Sequence, residues 1–126
     1  EAQGILWQAQ ENGTGFIAFS PLAQGLLTNR YLNGIPEDSR IARGGFLKKE
    51  QLTDQVLNKI KALNEVAGSR GQTLAEMALA WVLKDDLVTS VIIGASSVSQ
   101  LADNLKATEN CKFSPDELQR IGSILQ

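Results

Sequence analysis

Two short segments hold the residues best suited to chemistry. The first is Phe19-Ser20-Pro21-Leu22-Ala23-Gln24-Gly25-Leu26-Leu27. It begins at the carboxyl end of a short apolar run, the edge of an α/β fold at which ligands bind. Ser20 offers a hydroxyl there, and Gly25 lets backbone approach a ligand closely. An ordinary strand terminator followed by a glycine turn accounts for these residues equally well. The second segment is Ile93-Gly94-Ala95-Ser96-Ser97-Val98-Ser99-Gln100, followed by Asp103-Asn104. It reads as a strand, a glycine-containing loop and a helix N-terminus, whose free N–H groups and partial positive charge suit a phosphate. Gln100, Asp103 and Asn104 stand at i, i+3 and i+4 and so share a helix face able to hydrogen-bond a base or ribose. Plain helix capping also explains Ser97 and Gln100, which form an S-x-x-Q capping box.

Composition removes several chemistries. The 126 residues contain no histidine and one cysteine, which leaves no Ser-His-Asp or Cys-His catalysis and almost no zinc site. Cys111 cannot close an intrachain disulfide, which fits a reducing compartment, and it reads as a small apolar residue. Twelve basic against fourteen acidic residues give net charge -2, without the basic excess of a nucleic-acid binder. No apolar run approaches a membrane span. No signal peptide is read at the start, so the expected location is cytoplasmic. Arg30 and Arg40 could grip phosphate or a planar base, with solvated loop residues as the plainer reading. Trp7 and Trp81 read as packing residues, and Asp85-Asp86 as a helix end.

The elements that must position these segments follow from periodicity. Ala2 to Glu11 is helical and stops at Asn12-Gly13. Gly15 to Phe19 is a buried strand, ended by Ser20-Pro21. Residues 21–49 form a long loop, with a short helix possible from Ala23 to Tyr31. From Glu50 a helix buries Leu52, Val56, Ile60, Leu63 and Ala67, with Lys48, Lys49, Lys59 and Lys61 on other faces. Thr73 and Glu76 form a capping box for a helix that buries Leu74, Met77, Ala78 and Trp81 and ends near Asp85-Asp86. Val88 to Ile93 is a second strand, apolar enough for a parallel strand covered on both faces. The helix after Ser97 packs Val98, Leu101, Ala102 and Leu105. Ser114-Pro115-Asp116-Glu117 caps a last helix that buries Leu118, Ile121 and Leu125. This order is α/β, with parallel strands joined by crossovers. Two parallel strands do not make a whole sheet, so residues 1–126 are expected to be one piece of a larger α/β domain.

The two segments, with Thr28, Tyr31 and Gly34-Ile35-Pro36, resemble the C-terminal part of aldo-keto reductases. The bacterial glyceraldehyde 3-phosphate reductase-like enzymes and the potassium-channel β-subunits are the most similar branches. The resemblance covers nearly the whole chain and has two motifs in the right order. It implies the C-terminal portion of a (β/α)8 TIM barrel and an NADPH-dependent oxidoreductase that reduces aldehydes or ketones. Phe19 would stack on the nicotinamide, and Ser20, Pro21, Leu22 and Gly25 would line the pyrophosphate path. Arg30 and Arg40 would belong to a loop folded over the cofactor. Gly94 and Ser96 would sit at the adenosine phosphate, with Gln100, Asp103 and Asn104 at that phosphate and the adenine.

Three positions depart from the family pattern. Arg30 stands where lysine is usual, Asp103 replaces a commoner glutamate, and Ser97 stands where several members carry Arg or Asn near the 2′-phosphate. A serine there lacks a charge-assisted bond worth typically ~1.5–3 kcal/mol. The family's Asp-Tyr-Lys-His tetrad matches nothing in this sequence, so no catalytic residue is expected within the 126 residues, and the chain alone is expected to be inactive. The expected partners are a small-molecule carbonyl substrate and further copies of the chain, with neither nucleic acid nor membrane. The alternatives are a cofactor-binding regulatory module like a channel β-subunit, or an inactive structural fragment.

Overall fold

A computed structural model describes residues 4–32 and 52–126. Arg40, Lys48, Lys49 and Gly34-Ile35-Pro36 lie outside the described residues. Helix α1 (Ile5–Glu11) begins at Gly4, whose φ of 69° is left-handed, and ends at Asn12. Strand β1 (Ile17–Phe19) follows. Two 3₁₀ turns, Ala23–Gly25 and Asn29–Tyr31, occupy the place of the possible short helix. Then come α2 (Asp54–Ser69), α3 (Leu74–Val82), β2 (Ser90–Ile92), α4 (Val98–Leu105), a 3₁₀ turn (Lys106–Glu109) and α5 (Pro115–Leu125).

The strands pair in parallel, Ile17 with Ser90, Ala18 with Val91 and Phe19 with Ile92. Each is shorter than its apolar run. Just before the ladder the Thr89 N–H donates to the Phe16 carbonyl at 2.8 Å, and the Phe16 N–H donates to Thr89 Oγ1 at 3.0 Å. The expectation of strands covered on both faces is corrected. Ile17, Phe19 and Ile92 are 59%, 80% and 61% exposed. With a side-chain period of two they share one face of the sheet, and no described element covers it.

The core lies between α2, α3 and α5, around Ile60, Leu63, Val66, Ala67, Leu74, Met77 and Ile121, with Leu52 and Val56 packed at its margin. Thr73 and Ser114 form the two reciprocal capping boxes, and Pro115 takes the first turn of α5. Arg70, 2% exposed in its side chain, bonds Glu117 at 2.8 Å. It also donates to Gln72 Oε1 and to the carbonyls of Asn110 and Lys112, and lies 3.7 Å above the Phe113 ring. This contact turns α5 so that Glu117, Ile121 and Ile124 face α2. Leu118 and Leu125, expected inside, therefore remain 37% and 53% exposed. Helix α3 is apolar almost all round and buries Leu79 and Ala80 with Leu74 and Met77, while Ala78 and Trp81 are half-buried. It stops at Val82, before Asp85, which instead accepts from the Leu87 N–H at 3.2 Å. Among the described residues Trp7 stands 61% exposed, while the adjacent Leu6 turns inward.

Candidate functional site

The carboxyl ends of β1 and β2 open into a cleft of about 850 Å³. Phe19, Ser20, Pro21, Leu22 and Gly25 line it from the β1 side, Gly94 from the β2 side, Arg30 from the second 3₁₀ turn, and Gln100 from α4. A smaller hollow of about 260 Å³ adjoins it and shares Leu22, Thr28 and Gln100. Asp103 and Asn104 line that second hollow. Two segments some seventy residues apart are thus brought to one place by the Phe19–Ile92 pairing. Of the anticipated residues, Ser96 lines neither hollow and Arg40 lies outside the described residues. Sequence reasoning assigned no site role to Thr28, Asn29 and Thr73, which also line these hollows, and Tyr31 borders the cleft with none of its own surface exposed. Thr28 carried a usable signal: it is an N-cap, its hydroxyl accepting from the Arg30 N–H at 3.2 Å.

The backbone after β1 is unusual. Ser20, Ala23 and Gln24 have φ of 53°, 46° and 58°, and Gly25 has 100°. Non-glycine residues held there cost about 1–3 kcal/mol each, and such strain gathers at functional sites. Phe19, at the mouth of the cleft, presents its ring 80% exposed.

The loop before α4 also departs from expectation. Ser97 caps the helix, its Oγ accepting from the Gln100 N–H at 3.1 Å. The Gln100 side chain does not complete a box. Its Oε1 accepts from the Ser96 N–H at 2.7 Å and the Ser96 hydroxyl at 3.0 Å. The Ser96 N–H thus has a partner within the chain. Helix α4 is contacted by α3 and the Lys106–Glu109 turn, and the side buried there is polar. Asn104 is 6% exposed, whereas Val98, Leu101 and Leu105 are 86%, 43% and 57% exposed. The anticipated packing of Val98, Leu101, Ala102 and Leu105 is therefore corrected, because contact comes from the opposite side of the helix. Among the described residues Asn104 Nδ2 has no hydrogen-bond partner. Asp103 pairs with Lys106 at 2.8 Å, and this bond holds the Lys106 ammonium above its ordinary pKa.

Residues 1–126 match the sequence profile of the aldo/keto reductase family along their whole length. This chain belongs to the aldo/keto reductase family. It is similar to L-glyceraldehyde 3-phosphate reductase of Escherichia coli strain K12, at 54% identity over 96% of this chain and 36% of that protein. It is also 40% identical to a probable voltage-gated potassium channel β-subunit of Arabidopsis thaliana, over 91% of this chain and 36% of that one. Among solved structures, the holo form of the aldo-keto reductase AKR11C1 from Bacillus halodurans superposes with TM-score 0.69 at 27% identity, covering 97% of this chain and 37% of that one. The chain therefore spans about 36% of the length of the curated relatives it matches. Its fold is the C-terminal portion of an aldo/keto reductase α/β barrel. In such barrels the functional end is the carboxyl end of the strands, and phosphate often sits after the last two strands, at a helix N-terminus. No helix among the described residues is long and apolar enough to cross a membrane.

Proposed function

We propose that these 126 residues are the cofactor-binding part of a single barrel domain, in a protein that uses NADPH to reduce aldehydes or ketones to alcohols. The observation that carries this reading is the pair of joined hollows. They run from the exposed Phe19 ring, past Leu22 and Gln100, to the Asn104 amide, which has no partner among the described residues. An extended dinucleotide matches this layout: it needs an aromatic face at one end and a close backbone approach in the middle, and at the other end its adenine nitrogens offer acceptors to the Asn104 amide. The residues present therefore fit the group.

In this reading Phe19 holds the nicotinamide ring, and Ser20, Pro21, Leu22 and Gly25 flank the pyrophosphate with Arg30 and Arg40 nearby. Gly94, Ser96 and Gln100 shape the phosphate end. Asn104 donates to the adenine, with Asp103 at the rim. When bound there, the cofactor would supply the hydride that a carbonyl carbon accepts. The carbonyl oxygen then needs a proton from a positioned acid. The chain has no histidine, and its one tyrosine, Tyr31, is fully buried. We assign that acid to residues outside these 126.

Titrating NADPH and NADH into the full-length protein, read by cofactor fluorescence, tests this directly. Saturable binding that Phe19→Ala and Asn104→Ala each weaken is the expected result. Failure of NADPH to bind would overturn the reading.

A further inference from the structure

Tyr31 is fully buried, yet among the described residues its hydroxyl has no hydrogen-bond partner. Its ring is placed against the strained loop. A Cβ built on Gly25 would lie 3.7 Å from Tyr31 Cε2. Thr28 ties the same two parts together: its hydroxyl donates to the Gly25 carbonyl at 2.7 Å and accepts from the Arg30 N–H at 3.2 Å. The loop itself closes through local bonds, Gly25 N–H to the Leu22 carbonyl at 2.9 Å and Leu27 N–H to the same carbonyl at 3.2 Å. Local bonds of this kind do not hold three left-handed non-glycine residues in place unless surrounding structure over-determines them. Leu26 and Leu27 anchor one end of the loop on the core, and Thr28 and Tyr31 support it at Gly25.

We infer that Tyr31 is a positioning residue: its buried ring, set beside Gly25, acts with the Thr28 hydroxyl to hold residues 20–27 in the shape that lines the cleft. It acts from beneath the loop. Its effect on a ligand is the fraction of time the loop spends in that shape, and a loop found there one time in ten binds about tenfold more weakly. The link to cofactor affinity rests on the nicotinamide-nucleotide reading above. The link to loop shape does not.

Amide hydrogen exchange on the full-length protein without cofactor reads the loop, and NADPH titration reads the site. Tyr31→Leu should speed exchange at Ala23, Gly25, Leu26 and Leu27 while α2 and α3 keep their protection, and should weaken NADPH about tenfold. Tyr31→Phe keeps the ring and loses only a hydroxyl without a partner among the described residues, so it should restore both readouts to wild-type values. The inference is overturned if Tyr31→Leu leaves loop exchange unchanged, if exchange rises equally in α2 and α3, or if Tyr31→Phe is as damaging as Tyr31→Leu. Faster loop exchange with unchanged NADPH affinity would overturn the link to the site. If wild-type protein binds no nicotinamide nucleotide, the cofactor reading fails, and the exchange pattern alone decides whether Tyr31 shapes the loop.

Discussion

The Gln100 side chain is fastened to Ser96 twice, its Oε1 accepting from the Ser96 N–H at 2.7 Å and from the hydroxyl at 3.0 Å. With Ser97 capping the helix through the Gln100 N–H, the loop between β2 and α4 is stapled at both ends of one residue. Gln100→Ala should release it. Because the bonds are near the surface, the stability cost should stay at about 1 kcal/mol or less. Affinity for both NADPH and NADH should fall together, by roughly tenfold if the freed loop costs about 1.4 kcal/mol of binding. Parallel cofactor titrations and denaturant melts separate the two effects.

Ser97→Arg trades a cap for a charged fork. Losing the Ser97 cap should cost about 1 kcal/mol of stability. If the 2′-phosphate sits at this loop, the guanidinium should shift the NADPH-to-NADH affinity ratio about tenfold toward NADPH. An unchanged ratio in titrations of both nucleotides would remove the 2′-phosphate from this helix.

Asn104 offers a test in which stability and binding move in opposite directions. Its buried Nδ2 lacks a partner among the described residues, a burden of about 1–3 kcal/mol in a free protein. Asn104→Leu should therefore match or exceed the wild-type melting temperature while weakening NADPH at least several-fold. A variant that loses both would show Asn104 to be a structural residue.

Arg70 should be the costliest substitution in the core. Arg70→Met removes the bonds to Glu117, Gln72 and two carbonyls together with the Phe113 contact. The Glu117 side chain is 30% exposed, so its charge regains some water. The loss should be about 3 kcal/mol by denaturant titration. Arg70→Lys should recover little, since a single ammonium cannot reproduce the fork.

Glu117 sets an acid limit on the contact between α2 and α5. The Ser114 N–H, and after it Arg70, holds its carboxyl below the ordinary value of 4.5. The folded state thus binds fewer protons than the unfolded state in this range, so stability rises with pH there. The contribution is complete above pH 4.5 and is lost as pH falls through the lowered folded value. Denaturant melts across acid pH should show this slope, and Glu117→Gln should flatten it.

How much of this was legible depended on how local the cause was. Thr73 with Glu76 and Ser114 with Glu117 cap their helices as their spacing dictates, because the partners lie within one turn. The stepping of Ile60, Leu63 and Ala67 found the core face of α2. Ser97 and Gln100 have equivalent spacing, yet Gln100 turns to Ser96, a competing donor that spacing does not reveal. The apolar stripe of α4 is left uncovered among the described residues, because α3 meets the helix on its Asn104 side. Most candidate residues came together at the strand ends, as the two motifs require. The left-handed turns at Ser20, Ala23 and Gln24 were invisible, since none is glycine.

The orientation of α4 has a thermal consequence. Unfolding raises heat capacity chiefly where apolar surface is newly wetted. With Val98, Leu101 and Leu105 already facing water among the described residues, detaching α4 newly wets apolar surface chiefly on α3, less than parting α2, α3 and α5 does, so its release carries the smaller enthalpy. As the chain stands, α4 should loosen gradually over a broad span of temperature, ahead of the sharp calorimetric peak in which α2, α3 and α5 part.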